Sequence, residues 1–175
     1  MKKLAAIIGA AVLSGCAAYQ PPTSGSTATL TVQKAGEEGG AQFYVYKDGR
    51  CSANPGGRFF YTTSGTAGEP TKKIAAGQEL VLTGTWTKSG LGVAYQCSET
   101  VSFVPEEGKT YIATIAADMA ANRCTLGVEE LAAGGKRPVA SYRKNENLCY
   151  GPDNLGPRLN GVFNNIQGGG TTVVR

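Results

Sequence analysis

Residues 93–104, Val93-Ala94-Tyr95-Gln96-Cys97-Ser98-Glu99-Thr100-Val101-Ser102-Phe103-Val104, decide the fold. Tyr95, Cys97, Val101 and Phe103 share one face, and Gln96, Ser98, Thr100 and Ser102 share the other. That is the period of two of a strand with one apolar side. Glu99 interrupts the apolar face, and a carboxylate there predicts either a position near an edge or a partner. Downstream, Pro105-Glu106-Glu107-Gly108 reads as a hairpin loop and Tyr111 to Ala116 as the returning strand. Ala117 to Ala121 reads as one helical turn, and Cys124, Leu126 and Val128 line one side of a last strand.

The same signals run upstream. Leu30 and Val32 alternate with Thr29, Thr31 and Gln33, and Gly36-Glu37-Glu38-Gly39-Gly40 makes a turn. Phe43-Tyr44-Val45-Tyr46 is a short strand closed by the turn dipeptide Asp48-Gly49. Arg58-Phe59-Phe60-Tyr61 is another. Leu80, Leu82 and Trp86 share a face opposite Thr83, Thr85 and Thr87, which makes Trp86 a core residue. About seven short strands with turns at this spacing predict an all-β domain, an antiparallel β-sandwich over residues 28–131. A small closed β-barrel is the alternative. Residues 132–175 read as a linker and an irregular tail; residues 139–175 are rich in Asn and Gly with few core-forming residues, and the stretch from Gly168 onward is expected to be mobile.

Four cysteines lie in or beyond this domain: Cys51, Cys97, Cys124 and Cys149. An even count in an exported chain suggests two disulfides. Zinc would call for paired Cys at short spacing or Cys with His. The gaps here are 46, 27 and 25 residues and the chain has no His, so no metal site is expected. If the last three strands formed a continuous meander, Cys97 and Cys124 would sit two ladders, about 9.6 Å, apart. Disulfide Cα atoms lie within about 7 Å. The expected pairs are therefore Cys51–Cys97 and Cys124–Cys149, unless the strands split between sheets.

Candidate chemistry is sparse. The absence of His removes the usual general base and nucleophile partner. Glu37-Glu38, Glu106-Glu107 and Glu129-Glu130 are adjacent pairs, which face opposite sides of a strand or point to solvent from a turn. Neither arrangement flanks one glycosidic bond. Ser141-Tyr142-Arg143-Lys144 matches S-x-x-K without the companion elements that such enzymes need. Phe43, Tyr44, Tyr46, Phe59, Phe60 and Tyr61 form either a stacking surface for a sugar or peptide or ordinary strand core. No catalytic residue and no cofactor are expected.

The N-terminus is more informative about place. Met1-Lys2-Lys3 precedes an apolar run from Leu4 to Leu13, the layout of an export signal. That run is about ten residues, and a membrane span needs roughly 20. Leu13-Ser14-Gly15-Cys16 resembles the lipobox of bacterial lipoproteins. The resemblance implies cleavage before Cys16 and acylation of its thiol and new amino group. Each buried acyl methylene contributes about 0.8 kcal/mol and more than one chain is needed for stable anchoring, so triple acylation would be effectively permanent. Ala17 in place of Asp implies sorting to the outer membrane. Residues 1–15 are thus a signal peptide and residues 16–27, with Pro, Gly, Ser and Thr, a lipidated flexible tether. Removal of Lys2 and Lys3 leaves 15 basic and 13 acidic residues, scattered, which is no nucleic-acid signature.

Gln42 to Leu131 resembles small bacterial outer-membrane lipoproteins with β-sandwich domains of no assigned activity. The likeness is carried by Phe43 to Gly49, Phe59-Phe60-Tyr61 and Phe103 to Tyr111. Tyr95-Gln96-Cys97 and Arg123-Cys124-Thr125-Leu126 resemble fragments of the disulfide region of membrane-bound lysozyme inhibitors. The expected function is a non-enzymatic interaction or structural module, lipid-anchored to the outer membrane through Cys16 and facing the periplasm, with an envelope protein or polysaccharide as the expected partner. The alternatives are lysozyme inhibition and a His-independent enzyme acting on envelope polymers.

Overall fold

The computed structural model describes residues 18–36, 38–46, 55–62, 70–90, 93–121, 123–145, 149 and 172–174. Residues 1–15, read above as a signal peptide, Cys16, the expected Asp48-Gly49 turn, Cys51 and the glycine-rich stretch from Gly168 to Gly170 lie outside them. The fold is all-β, two facing sheets that do not close into a barrel, so the expected sandwich holds and the barrel alternative does not. Its strands are β1 (Thr27–Gly36), β2 (Gly40–Tyr46), β3 (Pro55–Thr62), β4 (Thr71–Ala75), β5 (Leu80–Gly90) and β6 (Val93–Phe103). There follow β7 (Thr110–Asp118), β8 (Arg123–Ala132), β9 (Gly135–Pro138), β10 (Arg143–Lys144) and β11 (Thr172–Val174).

One sheet runs β4-β1-β7-β8-β9; the other runs β10-β6-β5-β2-β3, with β11 also on β6. Between the described strands every pairing is antiparallel except β1 with β7, where Leu30 faces Tyr111 and Val32 faces Ala113. The apolar positions of both sheets point inward. Leu30, Val32, Ile74, Tyr111, Ile115 and Leu126 of one meet Phe43, Phe59, Leu82, Trp86, Val101 and Phe103 of the other in one core. At about 25 cal/mol per Å² of apolar surface, burial of this kind is the main term that holds two sheets together.

The predicted hairpin at Pro105–Gly108 is instead an arch between sheets, because β6 belongs to one sheet and β7 to the other. Backbone bonds to β1 hold it there. Gly108, at φ +73°, donates its N–H to the Thr27 carbonyl, and Thr29 donates to the Lys109 carbonyl. The buried Tyr111 hydroxyl accepts the Glu106 N–H at 2.9 Å. Local turn chemistry is the same for a hairpin and an arch. What selects the arch is the place it gives Tyr111, on the opposite side of the core from Phe103 with ring centroids 5.2 Å apart.

This arch also corrects the expected cysteine pairing. Cys97 on β6 and Cys124 on β8 face each other across the core, with Cα atoms 6.0 Å apart, and are joined by a disulfide. The strands split between sheets, so the two-ladder distance does not apply. The pairs Cys51–Cys97 and Cys124–Cys149 are both excluded. Cys149 is disulfide-bonded as well.

Two further differences are local. Ala117 and Asp118 end β7, and residues 119–121 form a turn closed by the Ala121 N–H donating to Asp118 Oδ1, in place of a helical turn. Residues 135–138 and 143–144, in the stretch read as linker and tail, add a strand to each sheet, and Thr172–Val174, expected to be mobile, pair with Ala94–Gln96 of β6 instead.

Gly39 leads into β2 where the backbone passes closest to Trp86. A Cβ there would lie 2.6 Å from the Thr87 carbonyl oxygen and 2.7 Å from the indole ring. Gly39→Ala is therefore expected to lower stability by about 1–3 kcal/mol, the usual cost of overpacking, read as a shift of the urea midpoint.

Candidate functional site

Two seams lie along the sides of the sandwich, and polar side chains among the described residues join the sheets at each. The first joins β6 to β8. Beyond the disulfide, Glu99 lies on the inward face of β6 and is 5% exposed. It finds the partner that its position demanded. β9 pairs with Glu129–Ala132 alone, so among the described strands nothing flanks the first part of β8 on its outer side. There Glu99 Oε2 accepts the Leu126 N–H at 2.5 Å, and the Tyr142 hydroxyl donates to the Leu126 carbonyl at 2.9 Å. The carboxylate and the phenol thus take the place of a missing neighbour strand. Lys144 on β10 forms an ion pair with the other oxygen of Glu99. Burial, and secondarily the Glu99 charge, raises the Tyr142 phenol above its ordinary range, which keeps it protonated as the donor.

Gly84 makes this geometry possible. It pairs with Glu99 across β5–β6, and a Cβ on it would lie 3.1 Å from the Ile115 side chain and 3.2 Å from that of Leu126. The S-x-x-K residues are absorbed by the same seam. The Ser141 hydroxyl accepts the Val104 N–H at 2.9 Å and donates to the Val104 carbonyl at 3.3 Å. Ser141 and Lys144 therefore hold residues 139–145 across the gap between sheets, and neither is poised as a nucleophile or a base.

The second seam lies at the opposite side, between the edge strands β3 and β4. Tyr19, from the predicted tether, sits on it. Its ring stacks on Phe59 with centroids 5.1 Å apart, and its hydroxyl donates to the Lys73 carbonyl at 3.2 Å. Lys72 completes the contact, donating to the Phe59 carbonyl at 2.7 Å, with its ammonium 5.1 Å from the Phe59 ring centroid and 6.0 Å from that of Tyr19. Partial burial lowers the Lys72 ammonium and raises the Tyr19 phenol from their ordinary ranges. Ser26, later in the same stretch, donates from its hydroxyl to Glu107 at 3.0 Å.

The other candidates resolve as follows. Phe43, Tyr44, Tyr46 and Phe59 are all buried, so these four rings are packed and do not form a stacking surface. Tyr44 and Tyr46 lie with Val81 and Cys149 on the outer face of the six-stranded sheet, where Thr83 bonds Thr100 at 2.8 Å and Thr85 bonds Ser98 at 2.9 Å. That sheet is thus buried on both faces. Glu129 pairs with Lys136, while Glu130 turns inward between Arg137 at 2.6 Å and Lys109 at 3.3 Å. Among the described residues no group of three His, Cys, Asp or Glu could hold a metal ion. The sequence signal for Glu99 was its intrusion on an apolar face. Tyr19, a single aromatic in a Pro/Ser/Thr stretch, gave none. Comparisons with protein families, with curated proteins and with solved structures returned no match.

Two predictions follow from these charges. Glu99→Ala leaves the Leu126 N–H without an acceptor and is expected to cost about 1–3 kcal/mol. Glu99→Gln keeps an acceptor and should cost less; denaturant titration of the pair checks the order. The hydrogen bond from Arg137, and then that from Lys109, lowers the Glu130 carboxyl below its ordinary range. A depressed carboxyl contributes stability above its unfolded-state pKa, a contribution lost as pH falls through the folded-state value. The melting temperature of Glu130→Gln should lie below that of the parent at pH 7, and the gap should close below about pH 4.

Proposed function

We propose that this chain is a lipid-anchored cell-envelope protein that acts as a non-enzymatic interaction or structural module. The observation that carries the proposal is Leu13-Ser14-Gly15-Cys16 behind a ten-residue apolar run, a start suited to export and acylation and too short to span a bilayer. Three features of the domain support it. It is cross-linked, as exported domains commonly are. Its ionisable residues on the described seams serve to join strands. Tyr19, three residues from Cys16, already contacts the sandwich, which suits a domain held close to its anchor. Outer-membrane placement follows from Ala17, and recognition would fall to loops and strand edges.

A second reading is favoured by one observation. The Cys97–Cys124 disulfide joins the two fragments that resemble the disulfide region of membrane-bound lysozyme inhibitors. Inhibition of lysozyme by the purified domain would move the assignment there; its absence at high molar excess would retire that reading.

Replacing the acceptor thiol tests the main proposal. Cys16→Ser is expected to pass from the membrane fraction to the soluble periplasmic fraction, and intact mass should show the loss of the acyl chains. A wild-type chain that is unacylated and soluble would refute it.

A further inference from the structure

We infer that, in the lipidated protein, the β3–β4 seam faces the phospholipid surface, with Lys73 at the level of the headgroups. This rests on the acylation of Cys16 proposed above and adds an orientation to it. Tyr19 is fixed to the seam by its stacking on Phe59 and by its bond to the Lys73 carbonyl. Cys16 is three residues away, and three extended residues span at most about 11 Å. Each headgroup layer is about 5–8 Å thick. A thiol acylated at the base of that layer therefore brings Tyr19, and the strand it is bonded to, to within a few ångströms of the membrane surface.

A tether longer by ten residues would leave the domain free to tumble; this one does not. Lys73 belongs to β4, at one edge of the five-stranded sheet, and is exposed. Its ammonium is suited to phosphate oxygens as a compact point charge. β9, with Lys136, forms the opposite edge of the same sheet, four strand spacings or about 19 Å away. Lys136 is also exposed. The two lysines thus report on opposite ends of one rigid element. The consequence for function is that the β9 edge and the β8–β9 turn point away from the bilayer, where a partner in the envelope can reach them.

The test uses the full acylated protein bound to preformed vesicles of phosphatidylethanolamine and phosphatidylglycerol. A brief pulse of a membrane-impermeant amine-acylating reagent is followed by peptide mass spectrometry. Relative to the soluble Cys16→Ser protein, modification of Lys73 should fall several-fold while that of Lys136 stays the same. A variant with about twelve Gly/Ser residues inserted after Ala17, an added span of about 20 Å, should remain vesicle-bound and regain Lys73 modification. Equal modification of Lys73 in the acylated, vesicle-bound protein and the soluble one would overturn the orientation and leave the anchor intact. Protection of Lys73 and Lys136 alike would also overturn it, since that indicates aggregation or a protein contact. An unacylated wild-type chain, seen by intact mass before labelling, would overturn the orientation and the anchor together.

Discussion

A strand edge in search of a partner organises one side of this molecule. In β8 the Leu126 N–H and carbonyl face outward, past the point where β9 begins to pair. Left bare within a buried seam, each group would cost about 1–3 kcal/mol. The fold answers with a carboxylate from the facing sheet and a phenol from the connecting segment. Those two bonds, with the Cys97–Cys124 disulfide two residues away on each strand, fix how β6 sits against β8. The rest depends on that setting. Glu99 needs Gly84 beside it, Lys144 needs β10 beside β6, and Ile115 and Leu126 need the room that Gly84 leaves.

The alternation of apolar and polar residues made the faces of the strands legible. Cys97, Val101 and Phe103, and likewise Cys124, Leu126 and Val128, all point inward as their spacing requires. Alternation carries no information about which sheet a strand joins. Pro105-Glu106-Glu107-Gly108 has the turn chemistry of a hairpin, and an arch satisfies the same residues. The difference resides in bonds to β1 and to Ser26 just before it, 81 residues upstream of Glu107, and in the parallel pairing of Leu30 with Tyr111. Misplacing β7 by one sheet was enough to misassign the disulfide, since the distance between Cys97 and Cys124 is decided by topology and hardly at all by the residues between them.

The outer face of the six-stranded sheet shows a second limit. Thr83, Thr85, Ser98, Thr100 and Ser102 look like a solvated face, because hydroxyl side chains are ordinary on exposed strands. They are buried. Cross-strand hydroxyl pairs make this tolerable, since Thr83 with Thr100 and Thr85 with Ser98 each share a hydrogen bond, at 2.8 and 2.9 Å, and none of these side chains carries a charge to desolvate. Thr100 Oγ1 further accepts the Cys149 N–H at 3.0 Å. A ladder of hydroxyls is compatible with water and with a cover, so composition alone does not distinguish the two. By contrast Glu99 was legible as an exception, because a lone carboxylate among Cys97, Val101 and Phe103 has few inexpensive solutions.

The edges also bear on what the protein can contact. An unpaired edge invites another chain to add a strand. The free part of β8 is taken by Glu99 and Tyr142. The β4 edge is bonded through the Lys73 carbonyl to Tyr19. β9 is four residues long, wholly exposed, carries Lys136 and Arg137 and ends in Pro138. Short length, positive charge and proline each discourage indiscriminate strand addition, so this edge is suited to contacts made by side chains and by the Ala133-Gly134 turn. With the lipid anchor proposed above near β4 and a polar edge at β9, the sheet would have a side that is held and a side that is offered. That division would arise because Tyr19, only three residues after the cysteine that would carry the lipid, is already bonded to the β4 edge.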